Sequence, residues 1–298
     1  MWRKAFAVLV SFPLCAAGQS SAIPGRDLLT FPIGLVAESP ATGDLGGAGI
    51  WNPATTLIAG ADHWRLAAGS MNAPTDIAVT AQYGAVSYAW LGTTYTVSLV
   101  RANVGKLLRT DSDPLSIGDE IQYQTVLLSV GAARRLLPHL TGGIAIRSRN
   151  GRLDDVSRTG TSVDVGLVAD HLTPLDLRVG ASSFLFSPST LHTEIASFVA
   201  GADARVLGAD SLATVRAGYS FQRANGLYTE HFLFSSARWH AVEARVGTVE
   251  TAIYGQTNWR MRFGFAFRSG GYSVGIAREE SPNGFAPNYQ FTLASVLR

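Results

Sequence analysis

Nine charged residues obey one spacing rule: Arg147, Arg149, Arg178, Arg216, Glu243, Arg245, Arg260, Arg262 and Arg268 all fall on the polar phase of a two-residue alternation. Guanidinium groups arrayed on one face can grip an anionic head group such as a fatty-acid carboxylate, since each presents a planar fork of N–H donors. The plainer reading of the same residues is a solvated interior whose charges neutralise one another. Two other constellations carry less. Gly271-Tyr272-Ser273-Val274-Gly275 matches the spacing of a serine nucleophile elbow, but that motif works only on a tight turn from strand to helix with an acid and a His further along. Here the alternation continues through Ile276 and no His follows His240, so no catalytic residue is assigned and the chain is read as non-enzymatic. The histidines, His63, His139, His171, His192, His231 and His240, lack the i, i+2 or i, i+4 pairing of a metal site, although His231 and His240 could meet across a hairpin. No Walker loop, dinucleotide fingerprint or calcium loop is present, and neither a cofactor nor a metal is expected.

The elements that must position these side chains are strands. Trp259, Met261, Phe263, Phe265 and Phe267 share one phase, and Asn258, Arg260, Arg262, Gly264, Ala266 and Arg268 share the other. A period of two sends the two sets to opposite faces of a β-strand. The chain is also addressed for export: Met1-Trp2-Arg3-Lys4, an apolar run over 5–17 and small residues up to Ala22 read as a signal peptide spanning residues 1–22. Cys15, the one cysteine, leaves with it. No later stretch approaches the roughly 18 apolar residues of a transmembrane helix.

A mean hydropathy of +0.16 with 15% charged residues is apolar for a soluble protein and too polar for a helical membrane protein. A barrel that is greasy only on its outside lies between those limits. The net charge of +2 points away from a nucleic-acid partner and leaves outer-membrane lipid as the expected surroundings. The expected fold is therefore all-β: a transmembrane antiparallel β-barrel of about 14 strands, with an N-terminal hatch, in the bacterial outer membrane. Closure follows because an open sheet in hydrocarbon would strand the backbone groups of its edges. A soluble sandwich or propeller also alternates, but it needs no aromatic rims, which Trp90, Tyr123, Tyr228, Trp239, Trp259, Tyr272 and Tyr289 would supply here.

Along the chain, residues 23–61 read as a hatch or plug lying inside or under the barrel, and residues 62–298 as the barrel itself. Asn52 is placed to cap a short helix that opens on Pro53, and Trp51, Asn52 and Pro53 are expected to gate a ligand path or to plug the lumen. In the stretch 77–90 the apolar phase switches near Gly84, which predicts a bulge or kink. A turn is expected at Asn150-Gly151, and external loops at 106–120, 152–160 and 279–288.

Gly46-Gly47-Ala48-Gly49-Ile50-Trp51-Asn52-Pro53-Ala54 resembles the Gly-Ala…Trp-Asn-Pro-Ala element near the mature N-terminus of FadL-like outer-membrane proteins, above all the PorV/PorQ branch. The stretches 103–110, 128–136, 140–145 and 163–167 resemble that branch's elements in the same order. The last residue, Arg298, departs from the terminal aromatic typical of such barrels. The resemblance implies a barrel of about 14 strands with an inward-folded N-terminus, acting in secretion or in binding a secreted partner at the cell envelope. The other implied function is that of a FadL-like passive transporter of hydrophobic small molecules such as fatty acids.

Overall fold

The alternation closes the sheet on itself. The computed structural model describes residues 22–29, 37–43, 49–58, 63–73, 78–110, 117–187, 194–208, 213–224, 226–253, 256–280 and 287–297. The expected signal peptide therefore lies outside the described residues, apart from Ala22.

In chain order the strands are β1 (Trp64–Asn72), β2 (Val79–Trp90), β3 (Thr93–Val104), β4 (Leu108–Thr110), β5 (Ile117–Glu120), β6 (Tyr123–Leu137), β7 (Leu140–Leu153) and β8 (Val156–Ala169). They continue with β9 (Arg178–Phe184), β10 (Ser197–Leu207), β11 (Ala213–Ala224), β12 (Tyr228–Trp239), β13 (Val242–Ile253), β14 (Gln256–Ser269), β15 (Tyr272–Glu279) and β16 (Asn288–Leu297). β4 and β5 form a separate hairpin, and the other 14 strands make one closed antiparallel barrel in which β1 pairs with β16. Two-residue turns, Leu91-Gly92, Pro138-His139, His240-Ala241 and Gly270-Gly271, mark one end. Barrels of this kind turn their short connections to the periplasm, so β4 and β5 stand at the outer, long-loop end.

Apolar side chains on one phase cover the outside. Val97, Val130, Ile146, Val165, Phe265 and Leu293 are all exposed, and Arg260, Arg262 and Arg268 on the other phase of β14 are turned inward and at least half-buried. Trp90, Trp239 and Tyr272 ring the short-turn end, with Trp259 and Tyr289 near the other. This architecture, even-stranded and closed, with an apolar belt between aromatic rims, is that of a bacterial outer-membrane protein.

Four expectations need correction. Tyr123 and Tyr228 belong to no rim: Tyr228 is buried and takes a 2.5 Å hydrogen bond from Gln222, and the Tyr123 hydroxyl donates to Asp27. β2 has no kink at Gly84, since its register with β1 and β3 runs unbroken. The phase switch has another cause: Val79, Ala81 and Tyr83 face inward and are buried against the N-terminal segment. The predicted turn at Asn150-Gly151 and the loop 152–160 are strand, because β7 and β8 run on as a tall hairpin that turns at Asp154-Asp155. Finally, the loop over 106–120 contains the hairpin β4–β5. Of the loop over 279–288, residues 281–286 lie outside the described residues.

Candidate functional site: the barrel lumen

Where the described N-terminal residues meet the wall, the inner face is built from glycine and arginine. A side chain at Gly143, Gly151, Gly166 or Gly180 would place its Cβ closer than 3.0 Å to atoms of Ala54, Pro24, Asn52 and Ala41 respectively. Only a residue without a Cβ lets that backbone lie flat on the strands. The expected helix at Asn52 is a short 3-10 turn, Pro53–Thr56, with the Asn52 side chain accepting from the Ala54 amide at 2.9 Å. The same side chain donates to the carbonyls of Ala41 (2.7 Å) and of Leu167 on β8 (3.2 Å). Asn52 thus ties two N-terminal stretches to the wall. Trp51 lies 4.6 Å from Phe184 between ring centroids, and its carbonyl accepts from Ser182 at 2.7 Å.

All nine charges placed on one phase from sequence are paired inside the barrel, Arg147, Arg149, Glu243, Arg245, Arg260 and Arg262 among them. Arg147 pairs with Asp164 at 2.6 Å, both side chains being 0% exposed, and donates to the Ile50 carbonyl at 2.6 Å. Arg149 pairs with Glu194 at 2.6 Å and donates to the carbonyls of Pro24 (2.6 Å) and Ile23 (3.0 Å). Arg245 bridges Glu243 of its own strand (2.7 Å) and Glu38 of the N-terminal segment (2.5 Å). Arg260 and Arg262 share Glu230 and Glu279 in a four-membered network across β12, β14 and β15. A desolvated guanidinium needs a carboxylate and enough carbonyls to occupy its donors. The arginines read as anion binders meet that need internally, and Arg147, Arg149 and Arg245 meet part of it on the N-terminal segment.

Sequence reasoning missed Glu38, Asp164, Glu194, Asp203, Glu230 and Glu279, the carboxylates that complete these pairs. Asp164, Asp203, Glu230 and Glu279 lie on strands, whereas Glu38 and Glu194 lie in connecting segments where alternation gives no phase. His231 and His240 do not meet: His231 accepts or donates at Tyr219 on the outer face, and His240 sits in the turn beside Trp239. Around Ser273 the strand continues to Glu279, so the turn that a nucleophile elbow needs is not formed.

Asp176, in the connection between β8 and β9, is the acid outside the strands whose ionisation is perturbed. Burial opposes its charge, but hydrogen bonds and charge from Arg216 (2.5 Å) and His171 (2.6 Å) outweigh that and hold its carboxyl below the ordinary range. A depressed folded-state pKa contributes stability that is fully present above the unfolded value of about 3.9 and fades as pH falls through the folded value. Hydrogen-exchange protection of the 171–176 amides, taken relative to their intrinsic exchange rates, is expected to hold at pH 5 and to fall below pH 3. Protection independent of pH across that window would refute this anchoring.

A second departure from a polar lumen is an apolar inner wall towards the long-loop end. Met71, Val79, Tyr83, Val100, Leu127 and Phe184 are buried there in one cluster with Leu28, Leu29, Ile50 and Trp51. Beside it the wall is irregular: the Val163 amide donates to the Phe186 carbonyl at 2.8 Å and the Phe186 amide to Asp164 at 3.0 Å, beyond the regular ladder. β9 has seven residues, short of the roughly 9–11 that a transmembrane strand takes. Its described ladder with β8 stops at Gly166 and Ser182. At Leu185 the backbone takes a positive φ of 59° and the side chain is buried.

No known protein family matches the sequence, and no curated protein is similar to it. Solved structures share its fold. The toluene transporter TbuX of Ralstonia pickettii is 14% identical, with a TM-score of 0.62 over 88% of this chain and 96% of that one. The toluene transporter TodX of Pseudomonas putida is 10% identical, with a TM-score of 0.60 over 88% of this chain and 95% of that one. At such identities the likeness is one of fold.

Proposed function

We propose that this barrel passes a hydrophobic small molecule across the outer membrane, with the N-terminal segment as its hatch. One observation carries the reading: the buried apolar wall formed by Met71, Val79, Tyr83, Val100 and Leu127 on the lumen side. Barrel interiors are ordinarily polar, and an apolar stripe leading inward past Trp51 offers a route on which a hydrocarbon loses no solvation. The fold's likeness to transporters of toluene supports this reading over the secretion role implied by the PorV/PorQ resemblance.

The test is entry of the lipophilic dye N-phenylnaphthylamine into proteoliposomes. Entry is expected to exceed that of empty vesicles and to fall about tenfold in Leu127→Gln, the cost of placing an amide without partners in the apolar wall. Equal entry with and without the protein would end the transport reading. One feature keeps partner binding as a second reading: the hairpin β4–β5 stands outside the barrel with Leu108 exposed, tied to the β7–β8 turn by Arg109–Asp154 at 2.5 Å. That reading requires a secreted protein that crosslinks to the hairpin and is lost when residues 106–120 are trimmed.

A further inference from the structure

At the short-turn end the lumen opens into a cavity of about 310 Å³ roofed by Glu38, Ser39 and Thr42 of the N-terminal segment. Its charges do not cancel. Asp176 and Asp203 are taken up by Arg178 and Arg216, at 2.5 to 3.1 Å. Glu38 and Glu243 are taken up by Arg245 and Arg268, also at 2.5 to 3.1 Å. Those four carboxylates match those four arginines, yet Arg205 and Arg238 line the cavity too. Among the described residues neither has a carboxylate partner. Arg238 uses one N–H on the His240 carbonyl at 3.2 Å, which leaves most of its donors.

The register brings these two together. Arg205 on β10 stands opposite Arg216 on β11, and Arg216 stands opposite Ser236 on β12. Arg238 lies on the same face one step along, opposite Thr214. Two strand spacings and one two-residue step set the Arg205 and Arg238 backbones about 12 Å apart, close enough for both long side chains to reach one ligand. Arg216 is already neutralised by Asp176 and Asp203, so Arg205 is the arginine of this facing pair that has no carboxylate among the described residues. Phe234, on the same face of β12 as Ser236 and Arg238 and stacked on Phe232 at 5.1 Å, gives the lining an apolar surface together with Ala37.

We propose that this vestibule binds a small amphipathic carboxylate. Arg205 and Arg238 take the carboxylate oxygens, the Thr214 and Ser236 hydroxyls donate beside them, and Phe234 covers the apolar body. Its volume lies at the small end of ligand sites, about 300–1,000 Å³, which suits a single-ring acid. The site stands without the transport reading. Its role as the last station before the periplasm rests on that reading.

The experiment is calorimetric titration of the full barrel in detergent with benzoate, with benzyl alcohol as the neutral counterpart and with inorganic phosphate as the bare oxyanion. Benzoate is expected to bind at least tenfold more tightly than either. That preference should vanish in the double variant Arg205→Gln/Arg238→Gln, whose unchanged gel shift on boiling would establish a closed barrel. Equal affinity for benzyl alcohol, or a preference that survives the double substitution, overturns the proposal. Phosphate binding as tightly as benzoate overturns the amphipathic assignment and leaves a plain oxyanion site. Dye entry into proteoliposomes is read separately, so a failed transport assay with intact benzoate binding refutes transport and keeps the site.

Discussion

Removing residues 23–60 is expected to turn a barrel that carries little ionic current into an open pore, raising single-channel conductance in planar bilayers by about an order of magnitude. The contacts of the described part of that segment motivate the expectation. Its residues sit on Gly143, Gly166 and Gly180 in van der Waals contact with the wall, and Trp51 and Asn52 are 4% and 1% exposed. The barrel should survive the loss, because none of its 14 strands lies in the deleted stretch. Arg147 and Arg149 would lose the carbonyls of Ile50, Ile23 and Pro24 but keep Asp164 and Glu194, and entering water would replace the rest. The deleted form should therefore still migrate faster before boiling than after it. A conductance equal to that of the full chain would mean that the lumen is not blocked by this segment, and the hatch reading would fall with it.

What the sequence made legible was the wall. On β14 the phase of Trp259 to Phe267 against Arg260 to Arg268 is the observed division between outside and inside, because the two faces meet solvents of opposite kind and each residue is sorted by its own chemistry. The misreadings come from places where that sorting rule changes. Val79, Ala81 and Tyr83 are apolar yet face inward, since their solvent is the N-terminal segment and not water. Asn150-Gly151 reads as a turn by composition, but Gly151 is a glycine because the Pro24 carbonyl lies against it. Tyr228 reads as a rim aromatic but faces the lumen beside Gln222. That the interior charges neutralise one another was legible, but the partners were not, apart from neighbours such as Glu243 and Arg245. Arg149 and Glu194 are 45 residues apart in the chain, and only the closed cylinder brings them together.

The buried pair Arg147–Asp164 gives the sharpest energetic expectation. Both side chains are 0% exposed at 2.6 Å. Asp164→Ala leaves a desolvated guanidinium without its counter-charge, which costs about 3–5 kcal/mol. It also strips the Phe186 amide of an acceptor at 3.0 Å, just past the end of the regular β8–β9 ladder. Replacing both members with apolar residues of similar size, Arg147→Met with Asp164→Leu, removes the charge and should recover most of that loss in guanidinium unfolding from lipid vesicles. Recovery of the wall need not mean recovery of the plug. A thioether side chain has no N–H to donate to Ile50 or Gly49, whose carbonyls Arg147 serves at 2.6 and 3.3 Å, so the double variant should regain stability while its conductance rises above that of the full chain. A single variant that costs under about 1 kcal/mol would show that water already reaches the pair. A double variant as weak as the single would show that Arg147 stabilises through the hatch carbonyls and not through Asp164.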